Sequence, residues 1–126
     1  MKKFINNNDD FLKESLTGFG KAHSDIINVN LDPSFVSRKN KTKDGKVTLI
    51  SGGGSGHEPM HGGFVGHGML DAACPGFVFS APTPDQMQAA AEHVDNHHVA
   101  IVEVNNAESG VFAIAHRARY ARIHLR

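Results

Sequence analysis

Between residues 8 and 21 the apolar positions Phe11, Leu12, Leu16 and Phe19 recur at the helical period behind an Asn- and Asp-rich start able to cap a first turn. They predict a surface helix with one buried stripe. Gly18 and Gly20 weaken its last turn. Ile26, Ile27, Val29 and Leu31 form a short extended segment that Asp32 and Pro33 interrupt, and the polar run 38–46, ending in Asp44 and Gly45, reads as an exposed loop. A buried strand over 47–50 comes next and runs straight into glycine-rich sequence. Residues 58–69 predict a helical turn or two opened by Pro59; Cys74, Pro75 and Gly76 predict a turn, and 77–79 a second short strand. The alanine-rich stretch 81–93 predicts a helix, and 99–104 a third buried strand. Strand, glycine loop, helix, strand, helix, strand is the order of an α/β unit with a mainly parallel sheet and flanking helices, whose ligands sit at the carboxyl ends of the strands.

Eight of the thirteen glycines lie between 52 and 68. Flexible linkers do not sit between a buried strand and a helix start, so this density predicts a site at residues 52–57. Three chemistries compete for it. A glycine loop offers backbone N–H groups to a nucleotide phosphate, but the segment ends Gly56, His57, Glu58 where a Walker loop requires Gly-Lys-Ser/Thr. A dinucleotide loop requires a glycine where His57 stands. Residues His57, Glu58, Pro59, Met60 and His61 formally match the zinc motif His-Glu-x-x-His, which needs both histidines on one face of a continuous helix. Pro59 is tolerated only at a helix start and places His57 before it, and none of His67, His93, His97 and His98 is singled out as a third ligand. The third reading fits the residues best: a small oxygen-rich substrate held close by glycine backbone, with a histidine at the end of the loop to exchange a proton near neutral pH.

Composition narrows the setting. At 126 residues the chain holds one domain, and its 40% hydrophobic and 21% charged content is that of a folded globular protein. The single Cys74 excludes an internal disulfide framework and thiolate-rich zinc sites and fits a reducing compartment, so a cytoplasmic protein is expected. No run approaches the length of a membrane helix, and no binding to membranes is expected. Net charge is zero, yet residues 1–115 carry nine Lys and Arg against thirteen Asp and Glu, while 116–126 carry Arg117, Arg119, Arg122 and Arg126 and no acid. A basic arm for nucleic acid and a compositionally foreign tail are the two readings of that shift. The tail reading accompanies an expectation of no nucleic-acid partner.

Residues 51–61 (Ser51, Gly52, Gly53, Gly54, Ser55, Gly56, His57, Glu58, Pro59, Met60, His61), with Gly66, His67, Gly68, Met69 and Leu70 and the stretch 73–85 after them, resemble the dihydroxyacetone kinase family, specifically its K-type (DhaK-like) substrate-binding subunit or domain. The resemblance covers roughly residues 1–103. It implies the truncated N-terminal part of a DhaK-type α/β domain and phosphoryl transfer to a hydroxyl of dihydroxyacetone. It further implies that no cofactor is held by this chain: ADP or ATP with Mg is expected on a partner, an L-type nucleotide-carrying subunit served by a phosphotransferase-system component, or a separate ATP-binding domain. By position, Gly54, Ser55, Gly56 and His57 match the family's substrate-contacting loop, His57 as the proton acceptor. No metal site is implied.

Two departures accompany the resemblance. The family holds the substrate carbonyl covalently through a histidine far beyond residue 126, and the family's Lys and Asp after the third strand correspond here to Val104 and Ser109, unless Glu108 substitutes in a shifted register. From about residue 103 the resemblance fades, which divides the chain into a dihydroxyacetone-binding part, 1–103, and a divergent basic tail, 104–126. That tail has a competing reading as a last helix built on Val111, Phe112, Ile114, Ala115 and Ala118. The functional alternative is a truncated, non-catalytic homologue acting as a fragment or as a binding or regulatory module. A sheet edge left open predicts aggregation or dimerisation.

Overall fold

The structure, a computed structural model, describes residues 3–59, 61–95, 100–104 and 111–114, the last two as strand backbone. Helix α1 spans Phe11–Ala22, β1 Ile27–Leu31, β2 Ser34–Arg38, β3 Thr48–Ser55, β4 Ala72–Val78, α2 Pro84–Val94, β5 Ala100–Val104 and β6 Val111–Ile114. The strands form one sheet in the order β1-β2-β4-β3-β5-β6. Only β3 with β4 and β3 with β5 are parallel, while the other three pairings are antiparallel. The sheet is therefore mixed, and the expectation of a mainly parallel one is corrected by two outer hairpins.

The first hairpin turns at Asp32 and Pro33, which join Leu31 to Ser34 in register instead of ending the extended segment; Asn30 Nδ2 donates to Pro33 O at 2.7 Å across the turn. The second pairs β6 against β5, Glu103 opposite Val111, so residues 111–114 extend as a strand where a helix was one expectation. Its continuation through Ala115 and Ala118 lies outside the described residues, as do His97, His98, Glu108, Ser109 and the four terminal arginines.

Successive strand residues point to opposite faces, and the burial obeys that rule. Phe35, Ile50, Ala72 and Cys74 pack under Met87, Ala90 and Val94 of α2, while Ile27, Val36 and Ala73 pack with Leu16 of α1 and with Val65. Phe35 and Val36 are neighbours in one strand yet belong to different clusters, so the two helices cover opposite faces. Helix α1 keeps most of its expected stripe: Leu16 is buried, Leu12 and Phe19 are half-buried against the cluster, and Phe11 stays exposed. Helix α2 begins at a capping box in which the Gln86 amide donates to Thr83 Oγ1 and the Thr83 amide to Gln86 Oε1, with Pro84 in the first turn. Gln86 Nε2 also reaches Ser34 O and Pro75 O, both at 3.0 Å, and so pins the helix start to β2 and β4.

The polar loop after β2 is clasped by a buried carboxylate. Asp71, 4% exposed, accepts from Arg38 Nη1 at 3.2 Å, from the Leu49 amide at 2.8 Å and from Thr42 Oγ1, while the Arg38 amide donates to Asp71 O. A buried charge is tolerated only when paired and fully hydrogen-bonded, and this one is.

On the α2 face Ser37 Oγ and Thr48 Oγ1 are buried with no partner among the described residues. A buried hydroxyl without a partner forfeits its hydration, at a cost of about 1–3 kcal/mol. Thr48→Val keeps the shape and removes that cost, so urea unfolding should show it about 1 kcal/mol more stable than the parent. A clear loss of stability would contradict an unpartnered hydroxyl.

Candidate functional site

The course of the chain around β3 and β4 sets where a ligand is received. After Ser55 the connection passes a 3₁₀ turn at Gly62–Phe64 and packs Val65 on the α1 face before returning as β4. After Val78 the next connection crosses through α2 on the opposite face and returns as β5 on the far side of β3. Connections that leave two adjacent parallel strands toward opposite faces part at the carboxyl ends and open a crevice there. Residues 54–57 and 77–79 stand at that point.

The glycines reach it as strand, not as loop. Gly52 pairs with Cys74 on one side and Val104 on the other, Gly53 with Pro75 and Gly54 with Gly76. Cys74, Pro75 and Gly76, expected as a turn, are the middle of β4; β2 pairs with β4 only as far as Ala73, so Pro75 sits where β4 has one neighbour and a missing N–H is tolerated. The reason for glycine is close approach. A Cβ on Gly54 would lie 2.7 Å from the Ser80 amide nitrogen, and one on Gly76 2.0 Å from Ser80 O; one on Gly52 would meet Cys74 O and Pro82 Cγ at 2.8 Å. The chain after β4 therefore lies directly on the floor of β3 and β4. The space above Gly54 and Gly76 is filled by the protein's own backbone and that above Gly52 by Pro82 and Met87, which leaves the end of the run, Gly56 and His57, as the part facing outward.

There a register shift after Gly54 places Ser55 opposite Val78. Ser55 is buried; its Oγ donates to Gly76 O at 2.7 Å and its carbonyl accepts from the Phe79 amide at 2.8 Å. Gly56 has φ 107°, a conformation that favours glycine, and its amide donates to Glu58 Oε2 at 2.9 Å. His57 is exposed and meets the Phe79 ring at 5.3 Å between centroids and 80° between planes. Among the described residues of 58–69 a 3₁₀ turn at Gly62–Phe64 stands in place of the α-helix that the zinc motif needs. His57 and His61 thus share no helix face. His61 Nδ1 instead lies 2.9 Å from Ser51 Oγ, tying the turn back to the middle of β3. A cleft of ≈ 360 Å³ opens beside this turn on the α1 face, between Leu12, Leu16 and Phe19 and the edge formed by Ser55, Glu58 and Pro59.

Sequence reasoning brought Gly54, Ser55, Gly56 and His57 forward, and the structure sets all four at one strand end. It missed Phe79, Gly76 and the Ser51–His61 pair. Only the register of β3 against β4 reveals the first two, although Gly76 standing just before the aromatic run Phe77, Val78, Phe79 was a visible signal. Cys74, buried beneath α2, has its thiol pushed up to about 12 by burial, which makes it a packing residue and not a nucleophile. Among the described residues no group of His, Cys, Asp or Glu is arranged to hold a metal ion, and no helix is long and apolar enough to cross a membrane.

Comparison with known proteins decides the lineage: the Dak1 domain matches residues 17–121. The chain belongs to the Dak1 family. The match extends beyond residue 103, the boundary drawn from the motifs. This Dak1 chain is 47% identical over 106 residues to the dihydroxyacetone-binding subunit DhaK of the PEP-dependent dihydroxyacetone kinase of Escherichia coli, covering 84% of its own length and 30% of the relative's. A solved structure described as "Regulation of the dha operon of Lactococcus lactis" superposes with a TM-score of 0.74 at 31% identity, over 84% of this chain and 32% of that one. The dihydroxyacetone kinase operon co-activator DhaQ superposes with a TM-score of 0.66 at 34% identity, over 75% and 29%. The Dak1 chain thus spans about a third of the length of these relatives.

The glycine floor has a direct test. Gly76→Ala sets a Cβ against backbone that lacks a side chain's freedom to move, so thermal unfolding should show a loss of at least ~1–3 kcal/mol, whereas Gly18→Ala, whose Cβ meets nothing within 4 Å, should be neutral or stabilising. Equal effects at the two positions would contradict the close approach.

Proposed function

We propose that this chain forms the dihydroxyacetone-receiving part of a dihydroxyacetone kinase, with Gly54, Ser55, Gly56 and His57 as its substrate contacts. The observation that supports this most directly is the position of His57, exposed, two residues past the end of β3, at the crevice where the connections of β3 and β4 part. In this reading a small hydroxylated substrate is received beside Gly56, and His57 accepts the proton of the attacking hydroxyl as its oxygen takes the phosphoryl group that parts from the partner's nucleotide. A positioned base of this kind contributes about 10²–10⁴-fold to such a reaction. Phosphoryl transfer otherwise depends on alignment and charge stabilisation. Those come from a partner that carries the nucleotide and Mg, an L-type subunit recharged by a phosphotransferase-system component, in a cytoplasmic assembly that includes a second copy of the chain.

A second reading is favoured by the likeness to the operon co-activator DhaQ: a binding module that senses dihydroxyacetone without phosphorylating it. The two readings share the site and differ in turnover.

Titration of the ¹⁵N-labelled chain with dihydroxyacetone should shift the Gly56 and His57 amide signals saturably, and His57→Ala should weaken binding about tenfold, the value of one oriented hydrogen bond. Binding unaffected by His57→Ala would remove that residue from the site. Addition of an L-type subunit with its nucleotide then separates the readings: product formation supports the kinase part, and binding with no turnover supports the sensing module.

A further inference from the structure

Phe79 stands out among the described residues as a non-glycine with positive φ, 52°. That left-handed backbone is disfavoured for a residue with a bulky side chain, and glycine or asparagine accepts it more readily. Burial does not explain the choice, because Phe79 is 66% exposed. Neither does its backbone: the bond from the Phe79 amide to Ser55 O needs no particular side chain. What remains is the ring. It lies across Gly56, where a Cβ would sit 2.8 Å from Phe79 Cε1, and it meets the His57 imidazole near-perpendicularly at 5.3 Å. A strained conformation at a candidate site is held because the surrounding structure determines it, and here the Ser55–Phe79 bond and the register shift at Gly54 do so.

We infer that Phe79 is a positioning residue: its left-handed backbone swings the aromatic ring over Gly56 and against His57, holding the imidazole toward the crevice between β3 and β4. The edge-to-face aromatic contact restricts the rotation of an exposed side chain, in the geometry that ring pairs prefer. Gly56 is required in the same arrangement, since any side chain there would displace the ring. The importance of His57 to substrate rests on the function proposed above; the restraint of its imidazole by Phe79 does not.

The experiment uses the labelled 126-residue chain with Phe79→Leu, Phe79→Tyr and Phe79→Gly, tracking the His57 ring signals, assigned through His57→Gln. Loss of the ring in the Leu and Gly variants should move the His57 carbon-bound ring protons away from their ring-current-shifted positions, and the Tyr variant should leave them in place. Thermal stability of Phe79→Gly should equal or exceed that of the parent, because glycine accepts the φ. A role in general packing would lower it instead. Affinity for dihydroxyacetone should fall about tenfold in the Leu and Gly variants and stay within about twofold in the Tyr variant. Unchanged His57 ring signals in Phe79→Leu would overturn the inference even if Phe79→Gly folds poorly. A chain that binds no dihydroxyacetone would overturn the proposed function alone, leaving the ring signals to decide the restraint.

Discussion

The contact on which the rest depends is between backbone and backbone: residues 79–82 lie against the ends of β3 and β4, at distances that leave no room for a Cβ on Gly54 or Gly76. Glycine in a strand loses more conformational entropy than any other residue and contributes no packing of its own. β3 tolerates this because it is paired on both sides, with β4 and β5, and because Met87 and Pro82 cover it where its own side chains would stand. The same approach directs the path of the chain into the second helix. Held against the glycine floor, the chain enters the capping box at Thr83, and α2 starts in the place that lets Gln86 reach both Ser34 and Pro75.

Strand pairing and site geometry are therefore one arrangement. The register shift after Gly54 brings the Ser55 carbonyl to the Phe79 amide, and that bond ends the β4 ladder. Beyond it β3 and β4 leave the sheet on opposite faces, and His57 and Phe79 remain at the crevice between them. The turn carrying His57 is fastened at its far side by the Ser51–His61 contact. Rigid elements thus bound an exposed polar group on both sides, which is how a small site keeps its geometry without deep burial.

Both helices were legible, since the 11, 12, 16, 19 stripe of α1 and the alanine-rich run of α2 are local signals. The strands were legible only in part. β2 was hidden because Asp32 and Pro33 serve equally as a strand breaker and as a hairpin turn, and the difference depends on what Ser34–Arg38 pairs with. The glycines were legible as a candidate site and misleading as structure: by propensity Gly52, Gly53 and Gly54 form a loop, and tertiary pairing with β4, joined at Gly52 by β5, overrides that preference. Pro75 concealed β4 in the same way, since a proline is excluded from a strand only where its N–H would face another strand. Gly54, Ser55, Gly56 and His57 were named through their match to the family's loop, but their neighbour Phe79 depends on a register that no single segment encodes.

The most direct measurement of the central claim is amide hydrogen exchange at Gly52. Paired with Cys74 on one side and Val104 on the other, its amide should exchange as slowly as that of Ile50, several orders of magnitude slower than the exposed Lys41 in the loop after β2. Exchange at Gly52 as fast as at Lys41 would mean that the glycine run is a loop after all, and would remove the floor on which the site at Ser55, Gly56 and His57 is built.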